Sequence, residues 1–211
     1  HKKVESAVSD AEMAFQACWE KLSIVRGGKA SDSKIGMAIV TFQPMLATAL
    51  RRLELFYNSI CREVRNLVSK KSSLNQKWFH RRLATLQEHK NIVCAAIDVG
   101  KVLGDSFAWI FYQGERELLR KHAEQEPIDH FPTGVGGVGE VEFVRRVPKI
   151  GSYLVLSHSI TTFLRLGDVT LIDPVSGKVA GIGELKTRTG NDGELNIMVD
   201  LVGPKAMRKG L

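Results

Sequence analysis

Cysteine is scarce in this sequence, and no two cysteines are close together. The three present, Cys18, Cys61 and Cys94, form no C-x-x-C pair, and each lies among apolar residues of helical pattern. An odd, widely spaced set offers neither a disulfide framework nor a thiolate metal site. We therefore expect three buried, reduced thiols and a reducing, cytoplasmic compartment.

Long apolar runs are also missing. The longest apolar stretch, residues 92–112, is interrupted by Asp98, Lys101 and Asp105, whereas a membrane span needs about 18 uninterrupted apolar residues. The first residues are charged and amphipathic, which is not the pattern of a secretory signal. We expect no membrane partner. Because the chain begins with His1 rather than Met, we also expect it to be a fragment of a longer protein.

The sequence also has no excess of acidic residues. The chain has 30 Lys and Arg against 23 Asp and Glu, a net charge of +7. Residues 51–90 hold ten of the basic and three of the acidic residues, so the whole excess lies in that segment. A phosphate backbone favours such a segment through counterion release, although a solvated helix face and a site for an acidic partner remain open. The residues predicted to bind nucleic acid are Arg51, Arg52, Arg62, Arg65, Lys70, Lys71, Arg81, Arg82 and Arg188.

Helical periodicity dominates the first part of the chain. Residues 4–25 have an amphipathic pattern, and a second helix is expected to start near Pro44, with an apolar stripe that recurs at alternating steps of four and three residues. A third helix is predicted from Leu74, a further stripe over 92–110 either continues it or forms a separate helix, and a fourth spans 115–126. Residues 1–126 are therefore predicted to form a bundle of three to five helices that binds nucleic acid or mediates homodimerisation. Most aromatic residues lie on the stripes, which favours core packing.

The pattern changes at Pro127. A glycine-rich segment covers 134–139, and from about residue 151 apolar residues alternate as in strands. The two clearest strands are predicted over 166–173 and 179–187, joined by a turn of sequence Asp-Pro-Val-Ser-Gly-Lys. Residues 153–158 and 194–202 are further strand candidates. We predict a second, α/β unit over 127–211.

Three charged side chains are predicted to meet at one end of this hairpin. Glu184 and Lys186 project from the same face of one strand, and Leu185 projects from the other. Asp168, near the start of the preceding strand, can lie beside them. Two close carboxylates repel each other unless a cation lies between them, and oxygen ligands favour Mg²⁺ or Mn²⁺. A lysine beside such an ion can orient a water or stabilise charge on a phosphoryl oxygen.

These residues resemble the PD-(D/E)xK nuclease superfamily, which has the restriction-endonuclease-like fold. Its pattern is an acid at the start of one strand, a hairpin, and Glu-x-Lys on the next strand. This sequence has Leu-Gly-Asp168-Val-Thr-Leu-Ile and then Gly-Glu184-Leu-Lys186-Thr-Arg, with Gly167 in place of the motif's proline. Many members carry a further glutamate after a Gly-x-x-Gly helix opening, which residues 136–140 resemble. The resemblance covers about 134–190.

The resemblance implies a metal-dependent deoxyribonuclease. Asp168 and Glu184 would hold Mg²⁺ or Mn²⁺ with help from the Leu185 carbonyl, Lys186 would position the attacking water, and Glu140 would complete the catalytic and metal site. We therefore predict an α+β protein in which an N-terminal all-α helical bundle precedes a small mixed α/β restriction-endonuclease-like core. Only 25 residues follow Lys186, so we expect the α/β unit to be truncated or completed by a partner.

Other interpretations of the same residues stay open. The hairpin could carry only a surface salt bridge, in a non-catalytic nucleic-acid-binding, adaptor or dimerisation module with a degenerate nuclease-like sheet. Residues 134–139 match G-x-G-x-x-G, but no strand precedes them and no acid follows about 20 residues later, which argues against a dinucleotide site. The histidines have no metal-ligand spacing, so we expect solvated or capping roles for them, and only His158 could reach the hairpin site.

Overall fold

Three long helices and one short helix form the N-terminal part of the protein. The structure is a computed structural model and describes residues 2–27, 30–126, 135–189 and 195–202. The helices of this part are α1 (Lys2–Gly27), α2 (Asp32–Ser69), α3 (Gln76–Tyr112) and the short α4 (Arg116–Ala123), with a 3₁₀ turn (Lys71–Ser73) between α2 and α3. The predicted helical bundle is therefore confirmed within the described residues.

Helix α2 begins earlier than the sequence indicated. Pro44 was expected at its start, yet the helix starts at Asp32 and Pro44 lies in its interior. An interior proline removes one backbone hydrogen bond and costs about 3 kcal/mol. Burial offsets this cost, because the apolar stripe continues upstream of the proline through Ala38 and Phe42, and Phe42 stacks on Phe107 with ring centroids 4.3 Å apart.

Helix α3 is one continuous helix, so the two stripes predicted separately belong together. Asn75 caps it by accepting a hydrogen bond from the Trp78 amide at 3.1 Å. The helix runs antiparallel to α2 and approaches it closely at Gly100, where a Cβ would lie 2.7 Å from Leu50 and Phe15 side-chain atoms. Glycine is required at this position because α1, α2 and α3 meet there.

The cysteines and tryptophans of the helices are more exposed than predicted. Cys18 is buried, whereas Cys61 and Cys94 are only partly buried, and all three are thiols. The side chains of Trp19, Trp78 and Trp109 are about half exposed, which corrects the expectation of core packing for them. Among the described residues, no helix combines the length and apolarity needed to cross a bilayer.

A five-stranded antiparallel sheet follows, preceded by helix α5 (Val135–Arg146). Its strands pair in chain order: β1 (Lys149–Ile150), β2 (Tyr153–Ser157), β3 (Val169–Ile172), β4 (Val179–Thr189) and β5 (Leu195–Val202). The predicted strands are therefore all present, and the protein is α+β. The predicted turn is also present: the Asp173 amide donates to the Lys178 carbonyl at 2.9 Å, and Gly177 has φ of +67°.

The two faces of the sheet belong to two different hydrophobic clusters. One face, which includes Leu156 and Ile172, belongs to the same large core as α1, α2 and α3. The other face packs on Phe143 of α5 in a smaller cluster. The buried Gln43 fastens α2 to β2, since its amide donates to the Val155 carbonyl at 2.6 Å and accepts from the Ser157 amide at 2.8 Å. Residues on both sides of the predicted 126/127 boundary thus share one core.

Candidate functional site

Strand β4 carries the predicted Glu-x-Lys pair on one face. The Lys186 ammonium lies 2.6 Å from a Glu184 carboxylate oxygen, and both side chains are about half exposed. Leu185 points to the opposite face and packs in the cluster of Phe143 and Val169. The alternation expected from the sequence is observed, so the acid and the lysine are side by side at an accessible surface.

Asp168 is held beside this pair by the backbone of β4. Its amide donates to the Gly183 carbonyl at 2.8 Å, and its carboxylate accepts a hydrogen bond from the Leu185 amide at 2.7 Å. Burial raises the pKa of Asp168, the Leu185 amide opposes this, and the neighbouring Glu184 charge raises the pKa further. The structure therefore brings together the three predicted hairpin residues.

Proline could not replace Gly167, the residue before Asp168. The φ of Gly167 is +72°, and a Cβ would lie 2.8 Å from the Gly183 carbonyl oxygen. Proline is restricted to φ near −65° and could not adopt this conformation. Glycine lets the chain turn into β3 in close contact with β4.

Helix α5 brings Glu140 to the same end of the sheet. The residue before it, Gly139, lies directly on β4, where a Cβ would be 2.2 Å from the Thr187 hydroxyl oxygen. Burial raises the pKa of Glu140 to about 7, and the nearby charges of Asp168 and Glu54 raise it too. The second glycine of the predicted Gly-x-x-Gly opening thus permits the close approach that places the glutamate beside Asp168.

Glu54 of α2 is a carboxylate of this region that the sequence analysis did not identify. It is 2% exposed and lies 3.9 Å from the guanidinium of Arg51, whose side chain is also largely buried. Both charges act on Glu140, Glu54 raising its pKa and Arg51 lowering it. The signal in the sequence was an acid next to the apolar stripe of a helix with more basic than acidic residues.

Asp200 of β5 is a second carboxylate that was missed. It is paired in register with Glu184, while Met198 is paired with Lys186, and residues directly opposite in an antiparallel pair share a face. The pKa of Lys186 is raised by its contact with Glu184 first, and by Asp200 and Asp168 as well. Sequence alone could not reveal this neighbour, because the pairing register of β4 and β5 depends on the loop between them.

The donor set of this site suits a hard divalent cation. All of its candidate ligands are carboxylate or carbonyl oxygens, and Mg²⁺ is often held by only one or two carboxylates together with waters. Within the described ranges no group of three or more acidic, histidine or cysteine side chains is arranged to hold an ion. The ammonium of Lys186 occupies one oxygen of Glu184, so an ion would bind to the remaining carboxylate oxygens.

A buried polar chain supports the backbone at Gly167 and Asp168. The His158 amide donates to the Asp168 carbonyl, and its ring Nδ1 is 2.9 Å from the Gly167 carbonyl, which can only accept. Ring Nε2 therefore accepts, and its partner at 2.7 Å is the Thr170 hydroxyl. His158 is close to the site, but it fixes the backbone there instead of pointing into the site.

The chain continues to His122 through Tyr112. The Tyr112 hydroxyl lies 2.6 Å from the Thr170 hydroxyl and 3.2 Å from Nε2 of His122. Nδ1 of His122 accepts from the amides of residues 165 and 166, both at 2.9 Å. Burial lowers the pKa of His122 to about 4 and that of His158 to about 3. Both rings are therefore neutral and buried, which corrects the expected solvated or capping roles.

The residues predicted to bind nucleic acid differ in how exposed they are and in whether they are ion-paired. Arg51 is largely buried against Glu54, and Arg82 is ion-paired with Glu63. The prediction that Arg51 binds nucleic acid is therefore not favoured by its position, because its side chain is 13% exposed. The exposed members are Arg52, Arg62, Arg65, Lys70, Lys71, Arg81 and Arg188.

Comparisons with protein-family models, curated proteins and solved structures found no match to this chain. The likeness to PD-(D/E)xK nucleases therefore depends on the residues themselves. It stays a prediction from the sequence pattern around Asp168, Glu184 and Glu140.

Proposed function

We propose that this protein is a Mg²⁺-dependent nuclease of the PD-(D/E)xK type, with a restriction-endonuclease-like core, that hydrolyses phosphodiester bonds, with DNA as the expected substrate. The observation that carries the proposal is the hydrogen bond from the Leu185 amide to the Asp168 carboxylate. This bond sets one acid beside a strand whose exposed face presents a second acid and a lysine. A hairpin with only a surface ion pair would not need the partly buried Asp168.

Each residue then has a role that its chemistry supports. Asp168 and Glu184 would hold the ion through carboxylate oxygens, with the Leu185 carbonyl assisting. When bound, Mg²⁺ supplies Lewis acidity that lowers the pKa of water and stabilises charge on the phosphate. Lys186 donates hydrogen bonds to the attacking water or to a phosphoryl oxygen. Glu140, on the adjoining helix α5, would complete the catalytic and metal site.

Cleavage assays on matched variants test this function. Plasmid and single-stranded DNA are incubated with Mg²⁺ or Mn²⁺ and with wild type, Lys186→Ala or Asp168→Asn. We expect each variant to lose at least about 100-fold in rate, as for loss of one transition-state contact. Lys178→Ala, in the exposed turn of the same hairpin, is the control and should cleave as wild type does. Equal cleavage by wild type and Lys186→Ala, or no cleavage on a wide substrate panel, contradicts the proposal.

A second candidate is a non-catalytic nucleic-acid-binding or dimerisation module. The observation that favours it is the direct contact between Lys186 and Glu184, since an internal ammonium already neutralises one carboxylate of the site. This candidate predicts retention of nucleic acid or self-association without Mn²⁺ binding in calorimetry. Heat of Mn²⁺ binding that disappears in Asp168→Asn would exclude it.

A further inference from the structure

Three residues at intervals of eleven lie on one line along helix α2. At about 100° per residue, eleven residues make slightly more than three complete turns, so Gln43, Glu54 and Arg65 share one side of the helix. Gln43 fastens this side to β2, and Glu54 lies on it at the acidic site. Arg65 therefore lies on the side of α2 that faces the sheet, further along the helix than the acidic site.

Arg62 lies near Arg65 on the helix surface and, like Arg65, is exposed. It lies about 80° around the helix from Glu54. Both arginines are exposed, and neither forms an ion pair with any residue in the part of the chain that the structure describes. At a rise of 1.5 Å per residue, they lie about 12 and 16 Å along the axis from Glu54.

The other arginines of α2 are placed differently. Arg51 is engaged with Glu54 inside the site. Arg52 lies about 160° around the helix from Glu54 and lines an apolar groove between α1 and α2. Among the described residues of α2, the exposed arginines without an ion pair that lie on the same side as the acidic site are therefore Arg62 and Arg65.

From this arrangement we infer that Arg62 and Arg65 bind backbone phosphates of the nucleic acid whose scissile bond lies at the acidic site. The inference rests on the proposed function. Arginine suits phosphate because its planar fork donates two parallel hydrogen bonds. With a rise of about 3.4 Å per base pair, the two contacts fall about four and five base pairs from the scissile phosphate. The substrate then lies along α2 on one flank of the cut.

Binding in metal-free buffer tests the inference separately from catalysis. Fluorescence anisotropy with a labelled 20-base-pair duplex and EDTA gives Kd for wild type and for Arg62→Ala/Arg65→Ala at several salt concentrations. Loss of two phosphate contacts should lower the slope of log Kd against log salt by about 1.8, and weaken binding by tens-fold at 0.1 M salt. The control, Arg26→Ala/Arg116→Ala, removes two exposed charges from α1 and α4 and should change the slope by less than half as much.

Substrate length provides a second measurement. Duplexes that extend fewer than about four base pairs beyond the cut on one flank cannot reach both arginines. We expect wild type to bind such short duplexes weakly, with the same Kd that the Arg62→Ala/Arg65→Ala variant has for the full duplex. An unchanged salt slope in that variant, or an equal effect of the control, overturns the inference even if the protein cleaves DNA. Equal or tighter binding of polyglutamate than of DNA would assign these arginines to an acidic protein partner and also overturn it. Loss of cleavage in Lys186→Ala with DNA binding retained would leave the inference supported.

Discussion

The buried histidines His122 and His158 should make the protein sensitive to mild acid. Burial lowers their pKa values to about 4 and about 3, from an ordinary value of 6.5. The unfolded chain therefore binds protons more readily than the folded protein over this range. The stability supplied by the neutral rings is complete above pH 6.5 and declines as the pH falls from there towards 4 and 3.

The size of the effect at pH 5 follows from linkage. At pH 5 a histidine of pKa 6.5 is almost fully protonated in the unfolded chain, whereas His122 and His158 remain almost fully neutral when folded. Each ring then costs about 2 kcal/mol of unfolding free energy relative to pH 7, and the pair about 4 kcal/mol. This is a large part of the 5–15 kcal/mol typical of a domain. Glu140 acts in the opposite direction, because its raised pKa stabilises the protonated, folded form as the pH falls below 7.

Urea unfolding at pH 7 and pH 5, followed by circular dichroism, measures the difference. In His122→Gln or His158→Gln the stability lost between the two pH values should shrink by about 2 kcal/mol, and the contribution of Glu140 cancels in the comparison. Tyr112→Phe interrupts the same chain but keeps both histidines, so it should lower stability by about 1 kcal/mol at both pH values. The reasoning is refuted if both histidine variants lose as much stability on acidification as wild type.

Three further predictions concern the site. Gly139→Ala should destabilise the protein by about 1–3 kcal/mol in urea unfolding, because its Cβ meets Thr187, and Thr187→Ala should partly restore stability; a neutral Gly139→Ala would contradict the packing. Glu54→Gln should lower the pKa of Glu140 in a carbon-13 NMR titration, since one nearby negative charge is removed, and an unchanged pKa would show that the two are not coupled. Mg²⁺ at 100 times its Kd should raise unfolding free energy by about 2.7 kcal/mol relative to NaCl of equal ionic strength, and no shift of Tm with Mg²⁺ or Mn²⁺ would argue against a metal site.

The hairpin could be predicted because its signals are local. Alternation along β4 fixes which side chains share a face, so Glu184, Lys186 and Leu185 were placed correctly from spacing alone. The turn from Asp173 to Lys178 is likewise determined by glycine and by side-chain contacts within a few residues. Only two adjacent strands needed to be considered.

The rest of the site depends on contacts between distant elements. Glu54 had no local feature that tied it to Glu140, because its position follows from the packing of α2 against α5. The two neutral histidines could not be recognised for a similar reason: the donors of His122 come from residues more than 40 positions later. The start of α2 was predicted too late because the helix propensity of Pro44 is a local property. The turns before Pro44 are stabilised by burial against distant residues, which the local sequence does not show.

The candidate site therefore joins the helical bundle and the sheet into one unit. Its carboxylates come from α2, α5, β4, β5 and the residue just before β3, and the pKa values of Glu140 and Asp168 are raised first by burial and then by the mutual repulsion of these groups. At neutral pH this repulsion opposes folding, so the packing of α2 and α5 on the sheet must offset it. The bond of Gln43 to β2 and the close contact of Gly139 with β4 supply such packing on either side of the acids. An arrangement that concentrates negative charge at a structural cost is expected where a cation is to be bound.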